Sequence, residues 1–268
     1  MTNIFIGIPV VQYRHGGIPL ILQRPNLPNL LQTQEELNRF APPELQMDLT
    51  DFVSYYQLCQ AAVNEVGTKL ENLDADYQLH NAHNPIHHME ARMKDARSLF
   101  RKVKAHDLPL TFASIHDHIY DIGGIRVICN YQADVYTVAE NLLAQSDITL
   151  IRQKDSIKTP KASGYRSLHL VVSVPVFQAK GVKNTPVEIQ LRTVGMDPWA
   201  SLEHKLRYKT DVDADTVAHY AAQLHQYADE MDQMELGMQA IFHALSDQNS
   251  GLPSCQHTKH SNCRQKSL

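Results

Sequence analysis

The 268-residue chain carries 25 Lys+Arg against 29 Asp+Glu, a formal charge of −4, with 43% hydrophobic and 20% charged residues; such a composition buries a core and excludes a disordered or collagen-like polypeptide. No apolar run reaches the roughly 20 residues that span a bilayer, and the start lacks the features of a secretory signal, so a cytoplasmic protein without membrane association is expected. Cys59, Cys129, Cys255 and Cys263 form no CxxC pair, which indicates neither a disulfide framework nor a four-cysteine zinc site.

Residues 1–45 are rich in proline and short apolar runs without sustained period, and an irregular arm is expected there. From Phe52 the positions Tyr56, Cys59, Val63, Val66, Leu70 and Leu73 recur at spacings of four and three, the stripe of an amphipathic helix. Asn81 to Pro85 interrupts it. Met89, Met93, Ala96, Phe100 and Val103 then predict a second helix with basic outer faces. Beyond it the period changes to two. Ile125–Cys129, Ile148–Ile151, Leu168–Val176 and Val187–Leu191 are β-branched or alternating and read as strands.

Asp134–Leu143 between the first two strands has helical spacing, and Asp197-Pro198-Trp199 reads as an N-cap followed by proline at the first helical position. Finally Val217, Tyr220, Leu224, Tyr227, Met231, Met234, Met238, Ile241 and Leu245 repeat at three and four over about four heptads, a seam that either packs on its own domain or joins copies of the chain. The pattern predicts an α+β fold, a mixed β-sheet flanked by helices with a long C-terminal helix. The organisation expected is an arm at 1–45, a folded domain at 46–210, a helical oligomerisation segment at 211–248 and a disordered tail at 249–268.

Strand alternation sorts the middle of the chain into faces. Even positions from Leu168 to Val176 are apolar, which turns His169 the other way; odd positions from Val187 to Leu191 are apolar, which leaves Glu188, Gln190 and Arg192 together. Arg126 likewise opposes Ile125 and Val127. If these strands share a sheet, one face gathers a carboxylate, an amide, a histidine and two arginines; an ordinary solvated face is the alternative. The preceding loop, 154–166, holds Lys154, Lys158, Lys161 and Arg166 around Gly164, a composition suited to phosphate, and Tyr165 offers a flat surface for a base.

The segment Arg92–Lys104 sets Arg92, Lys94, Arg97, Arg101, Lys102 and Lys104 against the single acid Asp95. On one helix Arg92 and Lys102 would share a flank about 15 Å apart, the reach of an extended nucleoside triphosphate; non-specific RNA binding competes with that reading. Asp121, before Gly123-Gly124, and Glu188 are the two carboxylates placed on a metal, and Mg²⁺ with phosphate oxygens needs no more than these. No GxxxxGK[ST] loop is present, which argues against a P-loop enzyme.

Five ordered segments resemble the RelA/SpoT-type alarmone synthetases, and the length resembles that of their single-domain small members. They are Ala91-Arg92-Met93-Lys94 through Ser98 and Lys102; Asp121 through Cys129; Pro160-Lys161-Ala162-Ser163-Gly164-Tyr165-Arg166-Ser167-Leu168-His169; Val187 through Thr193; and Met196 through Leu206. The resemblance implies a nucleotidyltransferase-like sheet and transfer of the β,γ-pyrophosphate of ATP to the 3′-OH of GDP or GTP, giving ppGpp or pppGpp and AMP in the stringent response. It implies that Arg92 and Arg126 sandwich adenine, that Lys94 and Lys102 neutralise the ATP phosphates with Ser98 in the same set, and that Asp121 and Glu188 hold Mg²⁺. Glu188 would also act as base, Tyr165 would stack on guanine, and Lys161, Arg166 and His169 would orient the acceptor phosphates beside Lys154 and Gln190.

The family resemblance further implies a homotetramer, with (p)ppGpp or RNA as candidate allosteric ligands. Ser163 stands where many members carry Asn, Gly123 where Ala is frequent and Pro198 where an aromatic is frequent, and Ser163 leaves the choice between GDP and GTP open. A hydrolase domain is not expected in the roughly 85 residues before the first motif, and His116-Asp117 lacks a supporting histidine constellation. The Cys255, His257, His260 and Cys263 tail has zinc-capable ligands without a core, so coincidence is the default. Two other readings stay open: a catalytically weak nucleotide or RNA sensor, and a toxin-like pyrophosphokinase acting on adenosine nucleotides or tRNA.

Overall fold

In the computed structural model, residues 22–23, 35, 39, 49–208 and 214–250 are described; the expected arm, apart from a few of its residues, and the Cys/His tail lie outside them. The first predicted stripe forms helix α1 (Leu49–His80), in which Phe52, Tyr56, Cys59, Val63, Val66 and Leu70 are buried. It runs past Leu73 because Tyr77 adds one more apolar turn. The stripe lies across the sheet, packing on β3, β5 and β6.

The sheet is mixed, with the order β1-β2-β3-β6-β5-β4. Its strands are β1 (Leu22–Gln23), β2 (Ile86–Met93), β3 (Gly123–Cys129), β4 (Thr149–Asp155), β5 (Leu168–Gln178) and β6 (Gly181–Thr193). Five are substantial, and β1 adds two residues at one edge. The central pair, β3 and β6, is parallel, while β5 pairs antiparallel with both β6 and β4. Between the strands run α2 (Ala96–Ala105), α3 (Phe112–His118) and α4 (Gln132–Leu143); α5 (Met196–Tyr208) and α6 (Ala214–Ser250) follow β6. Among the described residues no helix is long and apolar enough to cross a membrane. Cys59 and Cys129 are buried free thiols.

One predicted element is overturned. Residues 86–93 form a strand rather than the start of a helix, and the helix begins only at Ala96. Met89 and Met93, four apart, fall on one face of a strand as they would of a helix, whereas the buried Met89 and Ala91 alternate with His88, Glu90 and Arg92. Asp95 marks the true boundary: its backbone is extended and its carboxylate accepts the Ser98 amide at 2.8 Å, an N-cap. Arg92 and Lys102 therefore do not share a helix flank.

Asp197 is not an N-cap either. The α5 helix starts at Met196, two residues before the expected first position Pro198, with Thr193 Oγ1 accepting the Met196 N–H, which leaves Asp197 and Pro198 in the first turn. Pro198 still costs nothing there, since first-turn amides have no intrahelical partner. The α6 stripe splits in two. Leu224 and Met231 are partly buried, Met231 against Trp199, Ala200 and Ala228, while Tyr220, Tyr227, Met234, Met238, Ile241 and Leu245 are exposed. The side chain of Val217 lies outside the described set.

Candidate active site

Strand register assembles the polar face. Glu90, Arg126, Gln190, His169 and Lys154 occupy one row across β2, β3, β6, β5 and β4. The neighbouring row runs Arg92, Gly124, Glu188. Because side chains repeat every second residue, Glu188 joins Gln190, and Arg92 joins Glu90, on the same face. Gly124 opens the space between Arg92 and Glu188: a Cβ there would sit 3.1 Å from the Glu188 carbonyl oxygen and 3.7 Å from Arg92 Nε.

Glu188 is the most heavily engaged carboxylate of this face. Its Oε2 accepts from Gln190 Nε2 at 3.0 Å and lies 3.4 Å from Arg92 Nη2, while Oε1 lies 3.2 Å from His169 Nδ1. Burial alone would raise its pKa. The hydrogen bond and charge of His169, with Arg92 and Gln190, outweigh burial and hold the carboxyl down at about 2.

Asp121 forms the second acidic point, at the entry to β3. Its Oδ2 receives Lys102 Nζ at 2.7 Å and Lys94 Nζ at 3.0 Å. Burial works against ionisation here too, and the two lysines overcome it and lower the pKa. Lys94 comes from the end of β2, where its amide bonds the Ile122 carbonyl, and Lys102 from α2. Two elements thus bring together cations that one helix was expected to carry. Asp121 Oδ1 is buried and has no hydrogen-bond partner among the described residues. No three His, Cys, Asp or Glu side chains gather as a metal cluster among the described residues.

On the other side of Glu188, a chain of polar contacts leads to the 156–166 turn. His169 Nε2 lies 2.9 Å from the Tyr165 hydroxyl, which also accepts Arg192 Nη2 at 2.8 Å. As a neutral imidazole His169 accepts the Tyr165 hydroxyl at Nε2 and donates its Nδ1–H to Glu188; as the imidazolium, whose charge helps depress Glu188, it donates from both nitrogens, and the Tyr165 hydroxyl then accepts. Lys161 Nζ lies 4.3 Å from the Tyr165 ring centroid and Arg192 Cζ 5.3 Å from it, so the ring is held among cations.

The remaining predicted residues are placed differently. Ser98 lies in the first turn of α2, its amide donating to the N-cap Asp95, and its hydroxyl accepts from Arg101. Lys154 is exposed on the edge strand. Arg166 turns away from the sheet face: its side chain is 10% exposed and bonds Asp229 at 2.8 Å and Asp232 at 3.4 Å on α6. The same helix presses on the turn, since a Cβ on Gly164 (φ +84°) would lie 2.6 Å from Ala228 Cβ. Glu235, one helical turn on, is buried on the β6–α5 connection, accepting Thr193 Oγ1 at 2.6 Å and the Gly195 amide at 2.7 Å. Burial raises its pKa.

Sequence reasoning left Arg192 without a role and missed Asp197, Asp229, Asp232 and Glu235 as partners of the site. The α6 acids recur at three, opposite the exposed stripe, a pattern that on sequence alone reads as a solvated helix face.

A family model described as a region found in RelA / SpoT proteins matches residues 91–213. GTP pyrophosphokinase YwaC of Bacillus subtilis is 37% identical over 170 residues, 63% of this chain and 81% of the relative. GTP pyrophosphokinase YjbM of the same organism is 38% identical over 148 residues, 55% of this chain and 69% of the relative. Among solved structures, small alarmone synthetase 1 from Bacillus subtilis bound to its product pppGpp is similar with a TM-score of 0.66 and 30% identity, covering 74% of this chain and 99% of that one. The same synthetase bound to AMPCPP gives 0.59 and 30%, covering 73% and 97%.

Proposed function

The chain belongs to the RelA/SpoT family, among its small alarmone synthetases, and on that footing we propose that its polar sheet face transfers the β,γ-pyrophosphate of ATP to the 3′-OH of GDP or GTP, forming ppGpp or pppGpp and AMP. The observation that carries the reading is the pair of carboxylates, Asp121 and Glu188, flanked by Lys94 and Lys102 on one side and by the Arg92, His169, Tyr165 set on the other. Residues 46–210 are taken as the synthetase domain.

In this reading Arg92 and Arg126 take the adenine, and Lys94 and Lys102 meet the phosphates. Tyr165 stacks on guanine, with Lys161 beside it. The free Oδ1 of Asp121 suits a hard cation, so Asp121 and Glu188 would hold Mg²⁺, which supplies neutralisation of phosphoryl charge when bound. A carboxyl held near 2 is a weak proton acceptor. Moving Arg92 onto adenine would remove one of the charges that depress Glu188. Most of the remaining rate enhancement comes from positioning and fixed charge. Arg166, bound to α6, would reach the acceptor only after leaving Asp229 and Asp232.

The exposed apolar stripe of α6 is assigned to contact between copies of the chain, as a homo-oligomer, with a tetramer the form the family resemblance implies. The test of function is incubation with Mg²⁺, ATP and GDP or GTP, resolved by anion exchange beside a Glu188→Gln control, with ATP, ADP and tRNA as further acceptors. AMP together with a more highly charged guanosine nucleotide, absent in the control, is the expected result. AMP formed only with an adenosine or tRNA acceptor would overturn the guanine assignment.

A further inference from the structure

Asp197 stands between the two halves of the site. Its Oδ1 accepts Arg192 Nη1 at 2.9 Å and lies 3.5 Å from Arg126 Nε. Arg192 in turn holds the Tyr165 hydroxyl, and Arg126 shares the sheet row of Gln190 and His169. We propose that Asp197 is a positioning residue that couples the two nucleotide sites, so that occupation of one orders the other through the chain Arg126, Asp197, Arg192, Tyr165. The proposal rests on the assignment of Arg126 to adenine and Tyr165 to guanine made above.

The physical argument begins with like charge. Arg126 and Arg192, side chains 22% and 7% exposed, both approach Asp197 Oδ1, and burial together with the charge of Arg192 disfavours the charge of Arg126. A guanidinium does not deprotonate to relieve this, so one carboxylate between them is what lets both remain. The contact is unevenly made: the Arg192 bond is short, whereas Arg126 Nε lies at ion-pair distance without a hydrogen bond, and Arg126 divides itself between Asp197 and Glu90 Oε2 at 3.3 Å. Arg126 is thus tethered on two sides at once, through Nη1 to Glu90 and through Nε towards Asp197. Stacking a base on its guanidinium immobilises it, which fixes Asp197, and Asp197 fixes the arginine on which the Tyr165 hydroxyl rests. The second nucleotide then meets a ring already ordered, which is positive coupling through shared ordering cost.

The position of Asp197 in the first turn of α5 supports this use. The helix start is satisfied without it, by Thr193 Oγ1, so its carboxylate is not committed to capping. Gly195 and Thr193 are held from behind by the buried Glu235, which keeps the first turn in place while its side chain serves the site.

The experiment is calorimetric titration of the full chain with an α,β-methylene ATP analogue and Mg²⁺, with and without saturating GDP. For the wild type, GDP is expected to tighten the analogue Kd at least fivefold, the lower end of ordinary coupling. Asp197→Asn keeps the shape and an acceptor oxygen but removes the charge between the arginines, and the tightening should fall below twofold. Arg192→Gln breaks the chain on the far side of Asp197, should lose the tightening equally, and decides the matter if the first variant does not fold. A purely structural role would weaken both Kd values and leave their ratio unchanged, and an unchanged ratio in folded variants overturns the proposal. Wild-type binding of both nucleotides with no tightening overturns it as well. Failure of the wild type to bind either nucleotide overturns the functional reading beneath it.

Discussion

Replacing Glu188 by glutamine removes one charge from a place where His169, Arg92 and Gln190 converge on it, and the structure sets the size of the effect. The carboxyl falls from an ordinary 4.5 to about 2, a preference of the folded state for the ionised form of about 3 kcal/mol at 1.36 kcal/mol per pKa unit. Because the folded-state pKa is depressed, this stabilisation is complete above the unfolded value, is lost as pH falls from 4.5 towards 2, and is absent below both. Glutamine stands in for the neutral acid at every pH. Wild type and Glu188→Gln should therefore differ by about 3 kcal/mol in unfolding free energy at pH 7, and at pH 3 the gap should have narrowed by about 2 kcal/mol. Urea titrations of both proteins at several pH values between 3 and 7 measure this directly, and taking the difference cancels the acid sensitivity of all other carboxylates. A gap that stays constant within about 0.5 kcal/mol over that range would refute the account of Glu188 as a carboxylate held down by its partners.

Asp121→Asn leaves Lys94 and Lys102 facing each other without their counter-charge; AMP formation should drop on the order of 100-fold or more, and full activity would remove Asp121 from the site. Gly164→Ala forces a side chain into a positive-φ turn and against Ala228; it should cost about 2 kcal/mol or more in urea midpoint stability and raise the KM for the guanine nucleotide while that for ATP holds, and unchanged stability would count against the close seat of α6. Met238→Asp with Ile241→Asp charges the exposed α6 stripe; light scattering should show an oligomer collapsing to the 30.4 kDa chain, whereas an unaltered mass would place the interface elsewhere.

The polar face could be seen in the sequence because β6 alternates from Val187 to Arg192 and because His169 and Arg126 each stand between apolar neighbours on β5 and β3, although Val171 and Ile128 share their sides. Once Glu188, Gln190, His169 and Arg126 are each on the side opposite an apolar stripe, a shared sheet brings them together. The carboxylate and lysine set was legible as composition but not as geometry. Met89 and Met93 are four apart, a separation that returns to the same face of a strand as well as of a helix, and the stripe continued through Ala96 into α2 as if one helix ran throughout. Asp95 followed three residues later by Ser98 was the local signal that separated them, because a capping aspartate cannot lie inside the helix it caps.

What pattern reading could not reach is contact between distant elements. Arg166 lies in a basic loop, and a basic loop near a binding face reads as phosphate-seeking. In the structure its guanidinium is claimed by Asp229 and Asp232, 63 and 66 positions away, on a helix whose apolar stripe draws attention to the opposite side. Asp197 was legible as a helix-start residue because aspartate before proline is a strong local signal, and local signals dominate when no partner is visible. Its carboxylate instead meets two arginines from two strands. In both cases the residue type was read for what it does to its own backbone or to solvent, while the fold uses its charge against a residue far along the chain. Charge pairing over such separations has no period, so a site whose strands are plain in the sequence still conceals which of its arginines are free for substrate and which the protein has already spoken for.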